Sequence, residues 1–272
     1  MRRFLIIAAI LTIAFGLFLV NCSDDATNPD LTQTQVSSIE AQTTMMVGMM
    51  GASFGAGFEY VEDGVSDGLA KPADTSYYND CWWVEQDSST YEDTILLITM
   101  TDSHIDSFSF IIGDTCQMIP DSTTTGLLII TSGLFSIDNG ADTSFTMTAD
   151  INSEFDGFTD VNTVINGETD FLIDSQQGNE QVSFHYNGDY EDITLVNADI
   201  ESGDAHPISG TVAMTLDFED SSQDESFHIT INLTFSSSGY HGSMTYEGDT
   251  FVWDVTWEQV DASVPFLGKR FR

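Results

Sequence analysis

"FHITINLTF", Phe227 to Phe235, alternates without a break: Phe227, Ile229, Ile231, Leu233 and Phe235 fall on one side of an extended chain, His228, Thr230, Asn232 and Thr234 on the other. Successive side chains of a strand point to opposite faces, so this stretch predicts a strand with one face in a core and the other in water. "TVAMTLDF" (Thr211 to Phe218) repeats the rhythm through Val212, Met214, Leu216 and Phe218, and "SFTMTADI" (Ser144 to Ile151) does so again. Alternation of this kind belongs to antiparallel sheets with one wet face.

"TILLITM" (Thr94 to Met100) and "GLLIITS" (Gly126 to Ser132) are apolar on both faces and are expected to be covered on both sides. Turn signals stand between the runs at Asn139-Gly140, Asn166-Gly167, Asn187-Gly188 and Gly248-Asp249. The pattern from about Trp82 onward amounts to roughly eleven or twelve strands with mostly up-and-down connections. So long a sheet is expected to be strongly curved, as a half-barrel, barrel or sandwich. Ahead of it, Val36, Ile39, Met46, Met50 and Phe54 recur at helical spacing within Gln33 to Phe58, which predicts one N-terminal helix packed on the sheet. With no Pro-rich linker in 75–262, residues 33–262 read as a single domain, followed by a basic tail at 263–272.

Of 272 residues, 44 are Asp or Glu and six are Lys or Arg, for a net charge of −38. The basic residues are Arg2, Arg3, Lys71, Lys269, Arg270 and Arg272. Salt bridges cannot hold such a body together, and its self-repulsion is relieved by salt, divalent cations or a basic partner. Nucleic acid is excluded as a partner, because phosphate contacts need clustered Lys and Arg. A solvated surface suited to saline surroundings is the ordinary reading of this charge. "DNGAD" (Asp138 to Asp142) approaches a calcium loop most closely but reads better as a hairpin turn.

Arg2 and Arg3 precede an uncharged run, "LIIAAILTIAFGLFLV" (residues 5–20), which reads as a secretory signal and is marginal for a stable bilayer span. "LVNC" (Leu19 to Cys22) resembles the lipobox of bacterial lipoproteins, with Asn21 where Gly, Ala or Ser is usual. The resemblance implies a signal peptide at 1–21 and a lipidated Cys22 that becomes the first residue of the mature chain. Residues 22–32 would then be a lipid-bearing flexible tether, with the membrane as a partner through palmitate-like acyl groups. The acidic "SDD" after Cys22 resembles surface-export signals of some bacterial lipoproteins. An uncleaved membrane anchor is the alternative, and either way the body is expected outside the cytoplasm, in the cell envelope at the outer membrane. Assigning Cys22 to lipid leaves Cys81 and Cys116, a pair expected to form a disulfide in an oxidising compartment; two free buried thiols are the alternative.

The sequence carries no Gly-x-Ser-x-Gly elbow, phosphate loop or His-Glu-x-x-His pair, so no catalytic residue, metal or cofactor is expected. His185 and His228 alternate with apolar residues and should face solvent; His104, His206 and His241 sit in turn-like segments. Asp254 and Glu258, read as one strand, stand about 13 Å apart, beyond the spacing of about 5 to 9.5 Å that a glycosidase pair needs. Trp253 and Trp257 share a face with Phe251 and Val255, ordinarily a core stripe and less commonly a sugar-stacking platform. Trp82 and Trp83, being adjacent, point to opposite faces, which leaves one of them a candidate for exposure.

These observations lead to the expectation of a lipid-anchored, extracytoplasmic, β-rich protein, not an enzyme, with a binding or structural role among envelope proteins. The alternative is a carrier or sensor of an acyl chain or other hydrophobic ligand, held by Met45, Met46, Met49 and Met50 between helix and sheet. Methionine clusters are ordinarily core. A secreted hydrolase comes third, lacking a nucleophile or metal signature.

Overall fold

The structure, a computed structural model, describes residues 75–263 apart from 80, 94–97, 118–120, 122, 139–142, 179, 203–204 and 222–224, together with Glu40, Ala41, Thr43, Thr44 and Val47. Among the described residues, twelve antiparallel strands make one sheet: β1 (Thr75–Asn79), β2 (Trp82–Asp93), β3 (Ile98–Ile112), β4 (Thr115–Gln117), β5 (Gly126–Asp138) and β6 (Thr143–Asp156). They continue as β7 (Asn162–Gln177), β8 (Glu180–Val196), β9 (Ser209–Asp220), β10 (Glu225–Ser236), β11 (Gly239–Tyr246) and β12 (Asp249–Thr256). Two short helices, α1 (Asn197–Ser202) and α2 (Trp257–Ser263), follow β8 and β12. Spatial order is chain order, β1-β2-β3-β5 through to β12, with β4 pairing only β3.

The alternation of "FHITINLTF" becomes β10, and its register with β9 explains the core. Phe227, Ile229, Ile231 and Leu233 stand opposite Phe218, Leu216, Met214 and Val212. Seven of these eight are buried, and only Phe227 is partly covered. Burying such a side chain contributes about 1.5–3 kcal/mol, so these rows across β6–β12 are the main driving force for this half of the fold. Thr215, Asp217, His228 and Thr230 alternate with them on the polar face.

Glycines inside the strands make room for rings on the apolar face. Gly167 lies opposite Tyr190, and a Cβ there would meet the ring at Cε2 (2.6 Å). Crossing over this gap, the Tyr190 hydroxyl shares a 2.6 Å hydrogen bond with Ser153 and donates to the Asn152 carbonyl at 3.2 Å. Gly188 is roofed by Tyr186, and Gly242 by its cross-strand partner Trp253. Burial pushes the Tyr186 phenol up to about 12, against a bond with Thr169 that acts the other way.

These rings explain why two expected turns are absent. Asn166-Gly167 and Asn187-Gly188 lie inside the 16- and 17-residue strands β7 and β8, where the glycines serve packing instead of reversal. Asn166 instead accepts a 2.7 Å bond at Oδ1 from the Asp192 amide. That bond holds a bulge in β8, where Asp192 has φ 54° and the register shifts between Glu191 and Thr194. Gly248, with φ 92°, does sit in the β11–β12 turn, whereas Asn139-Gly140 lies outside the described residues.

The expected strong curvature is also corrected: the sheet is open, neither closed nor strongly curled, with β1 and β12 at opposite edges. Bulges and glycine kinks generate curvature. Here the register shifts are confined to β7–β9, and ring-filled glycines keep long strands extended. The double coverage expected of "GLLIITS" fails for the same reason. Leu127 is fully buried, while Ile130 on the other face is 41% exposed.

The expected bridge is present: Cys81 and Cys116 form a disulfide, with Cα atoms 5.5 Å apart and 35 residues between them in sequence. It joins the start of β2 to β4, both of which pair the same edge of β3. Asn197 fastens another junction. Its Nδ2 donates to the carbonyls of Gly157 (3.0 Å), Phe158 (3.3 Å) and Asp160 (3.0 Å), and its Oδ1 accepts from Thr163 (2.8 Å), tying the β6–β7 connection to the end of β8. Of the helix expected over 33–58, the described residues are helical. Among them, Thr44 shares a 2.8 Å hydrogen bond with the Tyr240 hydroxyl, and Val47 is buried in the core cluster.

Candidate functional site

Antiparallel register sets which polar side chains meet, and on the polar face it brings His228, His241 and His185 to carboxylates. His228 Nδ1 lies 2.6 Å from Asp217 directly across on β9. His241 Nδ1 lies 2.9 Å from its cross-strand partner Asp254. His185 Nε2 lies 2.8 Å from Asp170, which also accepts from Asn187 at 3.4 Å. His206 contacts Asp261 of α2 at 2.9 Å and stacks on Trp257 at 4.8 Å. On the other face, in line with Phe108 and Phe110 along β3, His104 stands 4.0 Å from the buried Asp106, whose Oδ1 accepts from Thr131 at 2.8 Å. All five histidines of the chain are thus beside an aspartate, in a stretch, 75–263, that contains no Lys or Arg.

Two of these pairs flank an open groove of about 620 Å³ on the polar face of β8–β11. Ser183, His185, Asp217, Glu219, Ser226, His228, Thr230, Thr245 and Glu247 supply its polar lining, and it is bordered by Phe218 and Phe227, whose rings stack on the apolar side of the same strands. Thr230 Oγ1 lies 3.3 Å from His228 Nε2, so hydroxyl, imidazole and Asp217 stand in line. That order is the one by which a base activates a nucleophile. Acyl transfer also needs amide donors aimed at a developing oxyanion, and β10 is paired on both flanks, so the backbone N–H groups around Thr230 are committed to ladder bonds. What the groove offers is a dense set of hydrogen-bond donors and acceptors.

A second open groove, of about 310 Å³, lies on the same face toward the opposite side of the sheet. It is lined by Trp82, Leu128, Ile130, Asn152, Glu154, Asn166 and Gly167. The register lines up Ser109, Leu128, Glu154 and Asn166 in one cross-strand row, with Trp82 next to Ser109 at its β2 end. As adjacency in a strand requires, Trp82 and Trp83 divide between the faces: Trp83 is buried against Phe108, and Trp82 is partly exposed.

Other expected site residues fall differently. Cys22, Met45, Met46, Met49 and Met50 lie outside the described residues. His104 and His241 belong to strands β3 and β11, not turns. Trp253 is buried in the core, so it is no sugar platform. Trp257 and Glu258 begin α2, where Trp257 Nε1 donates to the Ser236 carbonyl at 3.1 Å, so the stripe read across residues 251–258 stops at Thr256. Among the described residues no group of three or more His, Cys, Asp or Glu is placed to hold a metal, and no helix is long and apolar enough to cross a membrane. The histidine–aspartate pairs and the Trp82 row escaped sequence reading because both depend on register between strands. No family model, curated protein or solved structure matches this chain.

Proposed function

We propose that the chain is a lipid-anchored protein of the bacterial cell envelope, held outside the cytoplasm by acyl groups on Cys22, with a non-catalytic binding role served by the polar face of its sheet. The observation that carries the reading is the pair of open grooves on that face, lined by hydroxyls, amides, carboxylates and imidazoles. Specific sites combine such convergent polar groups with an apolar wall, and in the groove beside β2 Trp82, Leu128 and Ile130 supply it. The disulfide is in keeping with an oxidising compartment. The same reading takes residues 33–58 as a helix packed on the apolar face, supported by the Thr44–Tyr240 bond and the burial of Val47.

The test is expression in a bacterium with the chain's own leader, metabolic labelling with an alkyne fatty acid and mass spectrometry of the first peptide. An acylated Cys22 at the mature N-terminus is expected, and Cys22→Ala should abolish both label and membrane association. A mature chain that starts elsewhere, or that carries an unmodified Cys22, overturns the anchor.

A further inference from the structure

We propose that the groove beside Trp82 binds an uncharged oligosaccharide laid across strands β2 to β7, which rests on the binding role above and gives it a ligand class. Among the four indoles, Trp83 and Trp253 are buried, and Trp257 is held by Phe235, His206 and the Ser236 carbonyl. Trp82 lines the second groove. An aromatic ring is a flat apolar plate, suited to the C–H face of a pyranose, and sugar hydroxyls are both donors and acceptors. Across the groove stand the groups that answer them. Asn152 offers a carbonyl oxygen and an NH₂, Glu154 accepts, and Asn166, whose Oδ1 is taken by the Asp192 amide, keeps its NH₂ as a donor.

Charge and shape narrow the ligand. Residues 75–263 contain no Lys or Arg, and the chain carries a net charge of −38. A phosphate, sulfate or uronate chain would meet repulsion and no guanidinium. Basic ligands would be drawn to acidic side chains over the whole sheet, with no preference for this groove. An acyl chain needs an enclosed apolar cavity, whereas this groove is open and pairs Leu128 and Ile130 with three polar side chains. The row from Trp82 to Asn166 spans five strands, about 19 Å at the usual strand spacing, a length that suits an extended oligomer.

The full chain in detergent is applied to an array of linear neutral hexasaccharides (cello-, laminari-, xylo-, malto- and manno-hexaose) and of acidic ones from polygalacturonate and heparin. Retention of at least one neutral glycan and of no acidic one is expected. Calorimetry should then show Trp82→Ala and Asn152→Ala each weakening that glycan tenfold or more, with Asn232→Ala, an exposed position of β10 that lines neither groove, within twofold of the parent. Because Trp82 adjoins the disulfide, Asn152→Ala decides if Trp82→Ala loses its circular dichroism spectrum. No retained neutral glycan, a preference for acidic glycans, or unchanged affinity in Asn152→Ala overturns the site. Failure here with Cys22 acylated leaves the anchored binding role standing; glycan binding by a chain without acylation overturns only the anchor.

Discussion

Replacing Gly242 by valine while trimming Trp253 to alanine tests the register on which the polar face depends. The two residues are cross-strand partners, and Trp253 is 8% exposed with its indole lying over Gly242. A Cβ on Gly242 would fall within contact distance of the indole Cε2, Nε1 and Cζ2 atoms, so the ring has to leave its place. Overpacking of this kind costs about 1–3 kcal/mol, and strand propensity returns at most about 1 of it. Trp253→Ala alone should cost about 3–5 kcal/mol as a buried aromatic lost from the core. In the double variant the valine grows into the space the indole vacated, so the combined loss should fall about 1–3 kcal/mol short of the sum. Guanidinium unfolding followed by far-ultraviolet circular dichroism, with the disulfide kept oxidised, reads this from the midpoints. Additivity within about 0.5 kcal/mol would show that the two residues do not face each other. The same ladder sets His241 opposite Asp254, so that pairing would fall with it.

Other expectations follow from single features. Replacing Cys81 and Cys116 by serine should lower stability by roughly 3 to 4 kcal/mol, and thiol titration of the unfolded, unreduced parent should find neither sulfur free. The Tyr186 phenol, ordinarily near 10, is raised to about 12 by burial, so its contribution to stability is complete below pH 10 and disappears as pH rises to 12. Two units correspond to about 3 kcal/mol, and Tyr186→Phe should flatten this part of the stability–pH curve; an unchanged curve would refute it. With a net charge of −38, the melting temperature should climb between 10 mM and 500 mM NaCl, and a flat response would show that self-repulsion is not limiting.

Side-chain alternation carried most of the architecture. "FHITINLTF" and "TVAMTLDF" mark the paired strands β10 and β9 because a buried face imposes period two on each strand separately. With Cys22 set aside by its lipobox-like setting, the two remaining cysteines were enough to suggest the bridge between Cys81 and Cys116. What alternation cannot encode is the offset between strands, and this hid the pairing of His228 with Asp217 and the row that ends at Trp82. Asn166-Gly167 and Asn187-Gly188 misled because a glycine beside asparagine suits a turn, yet it equally suits a place where Tyr190 or Tyr186 needs the room of a missing side chain. Length suggested closure, but curling depends on bulges, which leave no clear trace in the residue pattern. The solvent-facing choice between the adjacent indoles was legible only as a choice; burial of Trp83 against Phe108 settled it.

Because spatial order follows chain order, almost every strand is laid against the one made just before it. A polypeptide emerging N-terminus first therefore delivers each new strand to a partner already available, and few segments must wait for distant sequence. Loop-closure entropy is small for such neighbours, so assembly can proceed as a zipper from either border of an early hairpin. The arrangement also suits growth by duplication: another hairpin appended beyond β12 would add to the border and leave every existing ladder untouched.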